Sequence, residues 1–232
     1  MRTINLDEIK KLSLFTDIDS STFENLMRGA YVQNFPPGVE LITEGEDCDF
    51  FHILVEGTVE LFAGWNTRET TMAVLRPIST FILAAAVRDA PCLMSARTLE
   101  KSRIIMIPSE DVMDAFDEDS TFAKALVVEL AQCYRGVIKS TKNMKLRTSV
   151  ERLANYILKE QAKENGAAEF HLKIEKRKLA SLLGMTPENL SRAIKTLKPY
   201  GVEFQNTLII LTDEKALKTL AKPTYLIDDP TS

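Results

Sequence analysis

Polar and charged side chains recur at helical spacing between residues 188 and 195. A guanidinium group can pair with O6 and N7 of guanine, and a carboxylate can accept from the amino group of cytosine. Hydroxyl, amide and ammonium groups can contact bases or phosphates. Steps of three and four residues place such side chains on one side of a helix. The pattern predicts a helix that enters the major groove of DNA by its N-terminal half, with five candidate contact residues: Glu188, Asn189, Ser191, Arg192 and Lys195.

Within this set, Arg192 is the candidate for guanine, and Ser191 for a base or a thymine methyl group. Glu188 is the candidate for cytosine, and it also precedes Arg192 by four residues, so it can hold the guanidinium group in place. The alternative is that Glu188 and Arg192 form an ordinary surface ion pair with no role in DNA binding. The elements that surround the set favour the first interpretation.

These elements predict a helix-turn-helix. A first helix spans about Lys176–Leu183, and Gly184 supplies a sharp turn because glycine tolerates positive φ. Thr186 can cap the second helix, and Pro187 fits its first position, where no N–H is needed. The apolar faces of the two helices are Leu179, Ala180 and Leu183 on the first, and Leu190, Ile194 and Leu197 on the second.

Two short strands follow, Val202–Phe204 and Leu208–Leu211, and they predict a hairpin that turns at residues 205–207. A hairpin directly after a helix-turn-helix has the position of a wing. Residues with hydroxyl, amide or ammonium groups near the predicted groove are candidates for phosphate contacts: Lys178, Thr186, Lys195, Asn206 and Thr207.

The charge distribution agrees with a polyanion partner for this segment. The whole chain has a net charge of −4, but residues 135–198 contain 15 Lys and Arg against 6 Asp and Glu, whereas residues 1–134 contain 11 against 22. A basic segment attracts DNA, and an acidic one disfavours wrong orientations. The alternative is two solvated surfaces of opposite bias.

The remaining chain predicts an α+β protein in four parts. Short strands punctuated by Gly and Pro run from Tyr31 to about Ile107, which is typical of an antiparallel sandwich or barrel. The predicted parts are a β-roll domain at residues 1–118, a helix at 119–146, a winged helix-turn-helix domain at 147–221 and a loose tail at 222–232.

The predicted long helix spans about Ser120–Lys145 and repeats apolar residues at steps of three and four. The stripe could pack on its own domain, but its length exceeds what a small roll can cover, which favours a two-chain coiled coil. The predicted dimer contacts are Leu126, Val127, Leu130, Tyr134, Val137 and Thr141.

Several classes of protein are disfavoured. No apolar stretch is long enough to span a bilayer, and no signal-peptide pattern occurs at the N-terminus, so we expect a cytoplasmic protein. The three cysteines form no CxxC pair, and we expect neither a disulfide framework nor a metal site. Two histidines and nine dispersed glycines provide no catalytic triad and no phosphate-binding loop, so an enzyme is the weaker hypothesis.

The order of these parts resembles the family of the cyclic-AMP receptor protein and the fumarate–nitrate regulator. Two segments carry the resemblance: the glycine-punctuated strands of residues 37–61, and Glu188-Asn189-Leu190-Ser191-Arg192, which is similar to the Glu-x-x-Ser-Arg recognition helix of the fumarate–nitrate branch. The resemblance implies a cyclic-nucleotide-binding-like β-roll, a dimerisation helix and a winged helix-turn-helix. It also implies a homodimer that binds an inverted repeat of TTGAT and acts with RNA polymerase. Pro187 departs from relatives that often have a polar residue there, which predicts the loss of one contact.

The effector site departs from the cyclic-AMP pattern. Members that bind cyclic AMP use a Gly-Glu pair and an Arg-Ser pair, and the corresponding positions here are Leu83-Ala84 and Met94-Ser95. A buried phosphodiester without a cation is costly, so we predict that the roll binds no cyclic nucleotide. Arg88 or Arg97 could replace the missing cation only if this correspondence shifts by several residues. The candidate effector pocket is Phe81, Leu83, Ala84, Met94 and Ser95.

The identity of the signal stays open at this point. An N-terminal iron–sulfur cluster is excluded because Cys48 is the first cysteine. Three alternatives remain: haem or another apolar effector in the roll, as in regulators that sense nitric oxide; control by abundance alone; and a reactive cysteine. His52 is interpreted as a packed residue of the roll rather than a haem ligand, and Cys133 as a packing residue on the dimer seam.

Overall fold

The computed structural model describes residues 6–88 and 90–229. The chain divides into two compact units, residues 1–134 and 135–232, with the boundary inside the long helix. The fold class is the predicted one, an α+β chain with an N-terminal β-roll, a long helix and a C-terminal helix-turn-helix. The division into four parts stays a prediction.

The first unit is an antiparallel roll of two four-stranded sheets, with strand orders β1-β8-β3-β6 and β2-β7-β4-β5. Its strands are β1 Tyr31–Phe35, β2 Glu40–Ile42, β3 Phe50–Glu56, β4 Val59–Trp65, β5 Arg68–Leu75, β6 Ser79–Phe81, β7 Ser95–Thr98 and β8 Ser102–Pro108. Its helices are α1 Leu6–Ile9, α2 Ser20–Gly29, α3 Leu83–Arg88, α4 Ser109–Glu118 and the start of α5 Ser120–Leu146.

Alternate side chains of β3 contribute to two apolar clusters, one on each face of the strand. Leu54 faces the apolar cluster between the sheets, which also contains Leu61 and Phe81, whereas Phe51 and Ile53 face the cluster beneath the helices. Successive strand residues point to opposite faces, so one strand can serve both clusters. Full burial of a large apolar side chain contributes roughly 1.5–3 kcal/mol, and the helices are thereby fixed to the outer face of the β1-β8-β3-β6 sheet.

The helix α5 leaves the roll with an exposed apolar stripe. Val127, Tyr134 and Val137 have 58%, 67% and 62% of their surface exposed. Thr141 is exposed as well. The prediction is corrected at two positions. Leu126 is fully buried in the core of its own roll, and Leu130 packs against the same core, because the first turns of α5 close that cluster.

The second unit begins within α5 and continues with α6 Ser149–Lys163. A capping box starts α6, in which Thr148 accepts from the N–H of Glu151 and the Glu151 carboxylate accepts from the N–H of Thr148. The unit then contains β9 Glu169–His171, α7 Lys176–Leu182, α8 Pro187–Leu197, β10 Val202–Gln205, β11 Leu208–Leu211, α9 Glu214–Ala221 and α10 Tyr225–Asp228. The strand order is β10-β11-β9, so the predicted hairpin has a third strand.

The prediction of a loose tail is wrong for residues 222–229. The carboxylate of Asp228 accepts from both terminal nitrogens of Arg147 at 2.6 and 2.7 Å. The ammonium group of Lys139 donates to the carbonyl oxygen of Asp229 at 2.7 Å. A local pattern could not reveal this segment, because its partners lie on α5 and at the α5–α6 junction. Residues 230–232 of the predicted tail lie outside the described residues.

Candidate nucleic-acid interface

The helix α8 begins where its local sequence predicts. The Thr186 hydroxyl accepts from the N–H of Asn189 at 3.2 Å, and Pro187 occupies the first turn. The two helices pack through buried Leu179, Leu183 and Leu190. One packing residue differs from the prediction, since Ala193 is buried and Ile194 is only half-buried. The buried face of α8 therefore follows residues 190, 193 and 197, which turns residues 188, 191, 192 and 195 outward.

Gly184 makes the turn between α7 and α8. Its φ is +61°, and left-handed backbone favours glycine. A Cβ atom there would lie 1.9 Å from Cε of Met144, so the end of α5 packs directly on the turn of the helix-turn-helix. This methyl group ends a flexible side chain that can shift, so the backbone conformation is the main reason for glycine.

The exposed row on α8 contains Glu188, Ser191, Arg192 and Lys195, as predicted, whereas Asn189 is half-buried. The predicted pairing within the row is corrected: a terminal nitrogen of Arg192 donates to Oδ1 of Asn189. The pKa of the Glu188 carboxyl is lowered by its own backbone N–H and by the Thr186 hydroxyl, with only a smaller effect of Arg192. Asn189 is nearer to Arg192 because it lies three residues before it, on the same side of the helix.

The other candidate contacts surround this row. Ser191 donates to the carbonyl oxygen of Pro187 at 3.0 Å, which leaves the lone pairs of its oxygen for a donor on DNA. Asn206 and Thr207 are exposed at the turn of the β10–β11 hairpin, and Asn206 has a φ of +58°. Lys178 is half-buried on α7.

Arg152 is a positioning residue that the sequence did not indicate. Its guanidinium group donates to the carbonyl oxygens of Leu183 at 2.8 Å and Arg147 at 2.7 Å, and to those of Met144 and Gly184 at 3.4 Å. These carbonyls belong to the C-terminal ends of α5 and α7, where a cation is favourable. Burial lowers the pKa of Arg152. A charged residue in α6 is ordinarily expected at the surface, so only tertiary structure reveals this role.

The effector candidates belong to different parts of the roll. Phe81 and Met94 contribute to the cluster between the sheets, whereas Leu83 packs in the cluster beneath the helices. Ala84 is exposed, and the Ser95 hydroxyl accepts from the N–H of Glu44 at 2.9 Å. The turn of α3 causes this separation. The five residues therefore do not line one pocket, and that part of the prediction is corrected.

Arg97 points away from the interior of the roll. Its neighbour Ala96 lies in the cluster between the sheets, so Arg97 faces the other side of β7. There its Nε donates to the fully buried carboxylate of Glu60 at 2.7 Å, and its Nη1 donates to Glu69 at 3.1 Å. Desolvation alone would lower the pKa of Arg97, but these two carboxylates raise it. Its guanidinium group also stacks 4.1 Å from the centre of the Phe62 ring.

The buried side-chain atoms of the roll that lack a hydrogen-bond partner among the described residues include Nδ1 of His52 and Oγ of Ser79. Their residues pair across β3 and β6 with Phe81 and Leu54 respectively. The His52 ring stacks on Phe81 with 5.0 Å between ring centres. Burial lowers the pKa of His52 to about 4, so the imidazole is neutral at physiological pH. The interior therefore offers uncharged polar groups.

Neither a metal site nor a membrane span is found within residues 6–88 and 90–229. No group of three or more His, Cys, Asp and Glu side chains in this part could hold a metal ion. No helix there is long and apolar enough to cross a membrane.

Both halves of this architecture occur in known proteins. Residues 32–119 match the cyclic nucleotide-binding domain family, and residues 151–220 match the Crp-like helix-turn-helix domain family. A CRP-like cAMP-activated global transcriptional regulator of Mycobacterium tuberculosis is 20% identical over 94% of this chain and 100% of its own length.

Solved structures share the fold. FixK2 from Bradyrhizobium japonicum has a TM-score of 0.73 at 20% identity, covering 84% of this chain and 98% of its own. A protein from Eubacterium rectale described as a transcriptional regulator of the CRP/FNR family also has a TM-score of 0.73 at 20% identity, covering 90% and 98%.

The two domain matches and the fold indicate a CRP-like DNA-binding transcription regulator with an effector-binding type of domain at its N-terminus. The two domain matches, in this order, place the chain in the CRP/FNR family. Members of that family are transcription regulators rather than enzymes.

Proposed function

We propose that the chain is a homodimeric regulator that binds an inverted repeat of TTGAT through α8 and acts with RNA polymerase in the cytoplasm. The observation that carries the proposal is the exposed row of Glu188, Ser191, Arg192 and Lys195 on a capped helix. This row lies in the segment whose 15 Lys and Arg exceed its 6 Asp and Glu. DNA binding needs both parts, because phosphate contacts supply affinity and base contacts supply specificity.

Each side chain receives a role from its chemistry. Arg192 contacts O6 and N7 of guanine, and the lowered pKa of Glu188 keeps its carboxylate available as an acceptor for cytosine. Ser191 contacts a base or a thymine methyl group. We assign phosphate contacts to Lys178, Thr186, Lys195, Asn206 and Thr207, which carry hydroxyl, amide or ammonium groups.

The dimer forms along the exposed part of α5. Val127, Tyr134, Val137 and Thr141 follow steps of seven, three and four residues, which is the spacing of a coiled-coil seam. Two such helices would bury these side chains against each other. Leu126 stabilises the roll instead.

The effector is not a cyclic nucleotide. The positions that would hold its ribose and phosphate are Leu83, Ala84 and Met94, and Arg97 is engaged with Glu60 and Glu69 on the other face of β7. A buried phosphodiester here would lack a cation.

A neutral or apolar effector suits the roll better. His52 is neutral and buried, and its unpartnered Nδ1 could bind a hydrogen-bond donor. Its ring is packed against Phe81, so His52 does not fit as a haem ligand. If haem is the cofactor, its iron would supply the site for nitric oxide.

A mobility-shift titration separates the alternatives. The full-length protein is titrated against a TTGAT inverted repeat and a scrambled duplex, each alone, with cyclic AMP and with hemin. Preference for the repeat without cyclic AMP is expected. A Soret band in the absorption spectrum after hemin addition would show that haem binds.

The second candidate function is regulation by cyclic AMP, which the cAMP-activated relative of Mycobacterium tuberculosis favours. Micromolar binding of cyclic AMP in isothermal titration, with DNA binding that requires it, would establish this candidate and refute the effector proposal. Equal binding to both duplexes under every condition would refute the DNA proposal.

A further inference from the structure

Two cysteines that are far apart in the sequence, Cys48 and Cys92, lie on neighbouring segments of the β-roll. The N–H of Gly45 donates to the carbonyl oxygen of Cys92 at 2.7 Å, and the N–H of Cys92 donates to that of Glu46 at 2.9 Å. The loop that contains Cys48 is thus joined by backbone hydrogen bonds to the segment between α3 and β7. A second anchor fixes the same loop, since the Ser109 hydroxyl donates to the carbonyl oxygen of Cys48 at 2.8 Å.

The two thiols lie close enough to shift each other's pKa, and the Cys48 thiol donates to the carbonyl oxygen of Phe50 at 3.5 Å. Both are free, Cys48 is half-buried, and Cys92 is buried. Disulfide formation requires cysteines on adjacent backbone segments, and the hydrogen bonds of Gly45 and Cys92 place the two segments side by side. We propose that Cys48 and Cys92 form a dithiol pair that is oxidised to a disulfide bond within the β-roll.

The reaction needs a low-molecular-weight disulfide such as oxidised glutathione. Cys48, the more accessible thiol, attacks one sulfur, which forms a mixed disulfide and releases one reduced glutathione. Cys92 then attacks the Cys48 sulfur, which forms the internal bond and releases the second glutathione. The cysteine pair loses two electrons and two protons. The electrons and the protons are taken up by the two glutathione thiols that are released.

The environment makes this pair slow to react and its disulfide persistent. Burial raises the pKa of the Cys48 thiol to about 12 and also raises that of Cys92, and the nearby acidic side chains of Glu46, Asp47 and Asp49 act in the same direction. Little thiolate is present at neutral pH, so attack is slow. Because the reduced pair contains little thiolate, the reduced form gains no stabilisation from it. The disulfide bond, once formed, is therefore not readily reduced.

The bridge would act on a segment that packs against the interior of the roll. Cys92 lies two residues before Met94, whose side chain packs against the cluster between the sheets. Ser95 already accepts from the N–H of Glu44 in the same loop. Oxidation therefore fixes the segment between α3 and β7 to the loop before β3. The inference does not depend on the DNA proposal.

The test uses the reduced full-length protein, oxidised glutathione and the exposed cysteine Cys133 as an internal reference. Free thiols are counted with N-ethylmaleimide by intact mass spectrometry, and the bridge is located by peptide mapping. Wild type is expected to change from three reactive thiols to one, with Cys48 linked to Cys92. Cys133→Ser should change from two to none.

Cys48→Ser and Cys92→Ser should each form no internal bridge. The folded state of each variant is checked by circular dichroism, and the reaction repeated in urea shows the pairing of an unfolded chain. A native wild-type protein that keeps Cys48 and Cys92 reduced, forms only bridges between chains through Cys133, or stops at the mixed disulfide overturns the proposal.

Discussion

Arg152 donates a hydrogen bond from Nε to the carbonyl oxygen of Leu183 at 2.8 Å, and so connects α6 to the turn of the helix-turn-helix. A terminal nitrogen of the same guanidinium group binds the carbonyl oxygen of Arg147 at 2.7 Å, at the junction of α5 and α6. One buried side chain thus holds the end of the long helix and the base of the recognition motif together. A shift of either element would break bonds to the same cation.

Arg152→Met should destabilise the protein because it removes the donor from several buried carbonyls. Hydrogen bonds to a charged group contribute about 1.5–3 kcal/mol, and we expect a loss of that order in the free energy of unfolding. Urea denaturation measures it. Arg177→Met, an exposed position on α7, is the matched control and should change stability little. Equal effects of the two substitutions would show that Arg152 has no special role.

Gly184→Ala should destabilise the second unit for two separable reasons. A residue with a Cβ pays roughly 1–2 kcal/mol in left-handed backbone, and that atom would also collide with Met144. Met144→Ala should relieve only the collision, and because the flexible Met144 side chain can shift, a double-mutant cycle should give a small coupling energy between the two sites. Gly136→Ala is the control, because nothing lies within 4 Å of a Cβ there. That substitution should be neutral or stabilising.

Arg192→Ala should remove preference for the TTGAT repeat while weak, salt-sensitive binding persists. The loss of a guanine contact is worth about 1–3 kcal/mol of discrimination. Lys195 is the neighbouring exposed cation. Lys195→Ala should weaken binding to all sequences and reduce the slope of log affinity against log salt concentration by about one, the value for one phosphate contact. Fluorescence anisotropy at several salt concentrations distinguishes these outcomes. Retained preference in Arg192→Ala would remove this residue from base recognition.

His52→Phe should flatten the dependence of stability on pH. Because burial lowers the pKa of His52 from 6.5 to about 4, the unfolded chain binds a proton first as the pH falls. Wild type should therefore lose stability between about pH 6.5 and 4, by up to about 3 kcal/mol at 1.36 kcal/mol per pKa unit. Ser79→Ala, which removes the other unpartnered atom, should keep the wild-type slope. Identical slopes in wild type and His52→Phe would show that His52 does not titrate as inferred.

The helix-turn-helix could be predicted closely because its signals are local. The Thr186 cap, Pro187 and the positive φ of Gly184 each depend on a few neighbouring residues. In the structure α7 ends within one residue of its predicted end, and α8 begins at Pro187 as predicted. An antiparallel arrangement of short strands from Tyr31 to about Ile107 was also predicted, since glycine and proline punctuation is a local pattern, and the strands β1 to β8 occupy that range.

The sequence predictions are wrong where a residue contacts a partner that lies far away in the sequence. The spacing of Leu126 fits a dimer seam, but only the folded roll shows that the first turns of α5 complete its core. The local sequence around Arg97 does not predict its bond to Glu60. The local sequence around Cys48 likewise does not predict that it lies near Cys92. Even on α8, a three-residue step to Asn189 replaced the expected pairing of Arg192 with Glu188.

The ion pair of Arg147 and Asp228 has a consequence for the order of events during synthesis. Asp228 lies 81 residues after Arg147, so translation delivers the carboxylate long after the cation. The helices α5 to α9 can assemble while the chain is still emerging, since domains fold as their residues become available. The α5–α6 junction gains its bidentate clamp only when the last helix is made. A nascent chain that stalls before Asp228 therefore contains every DNA-contacting candidate but an unclamped junction.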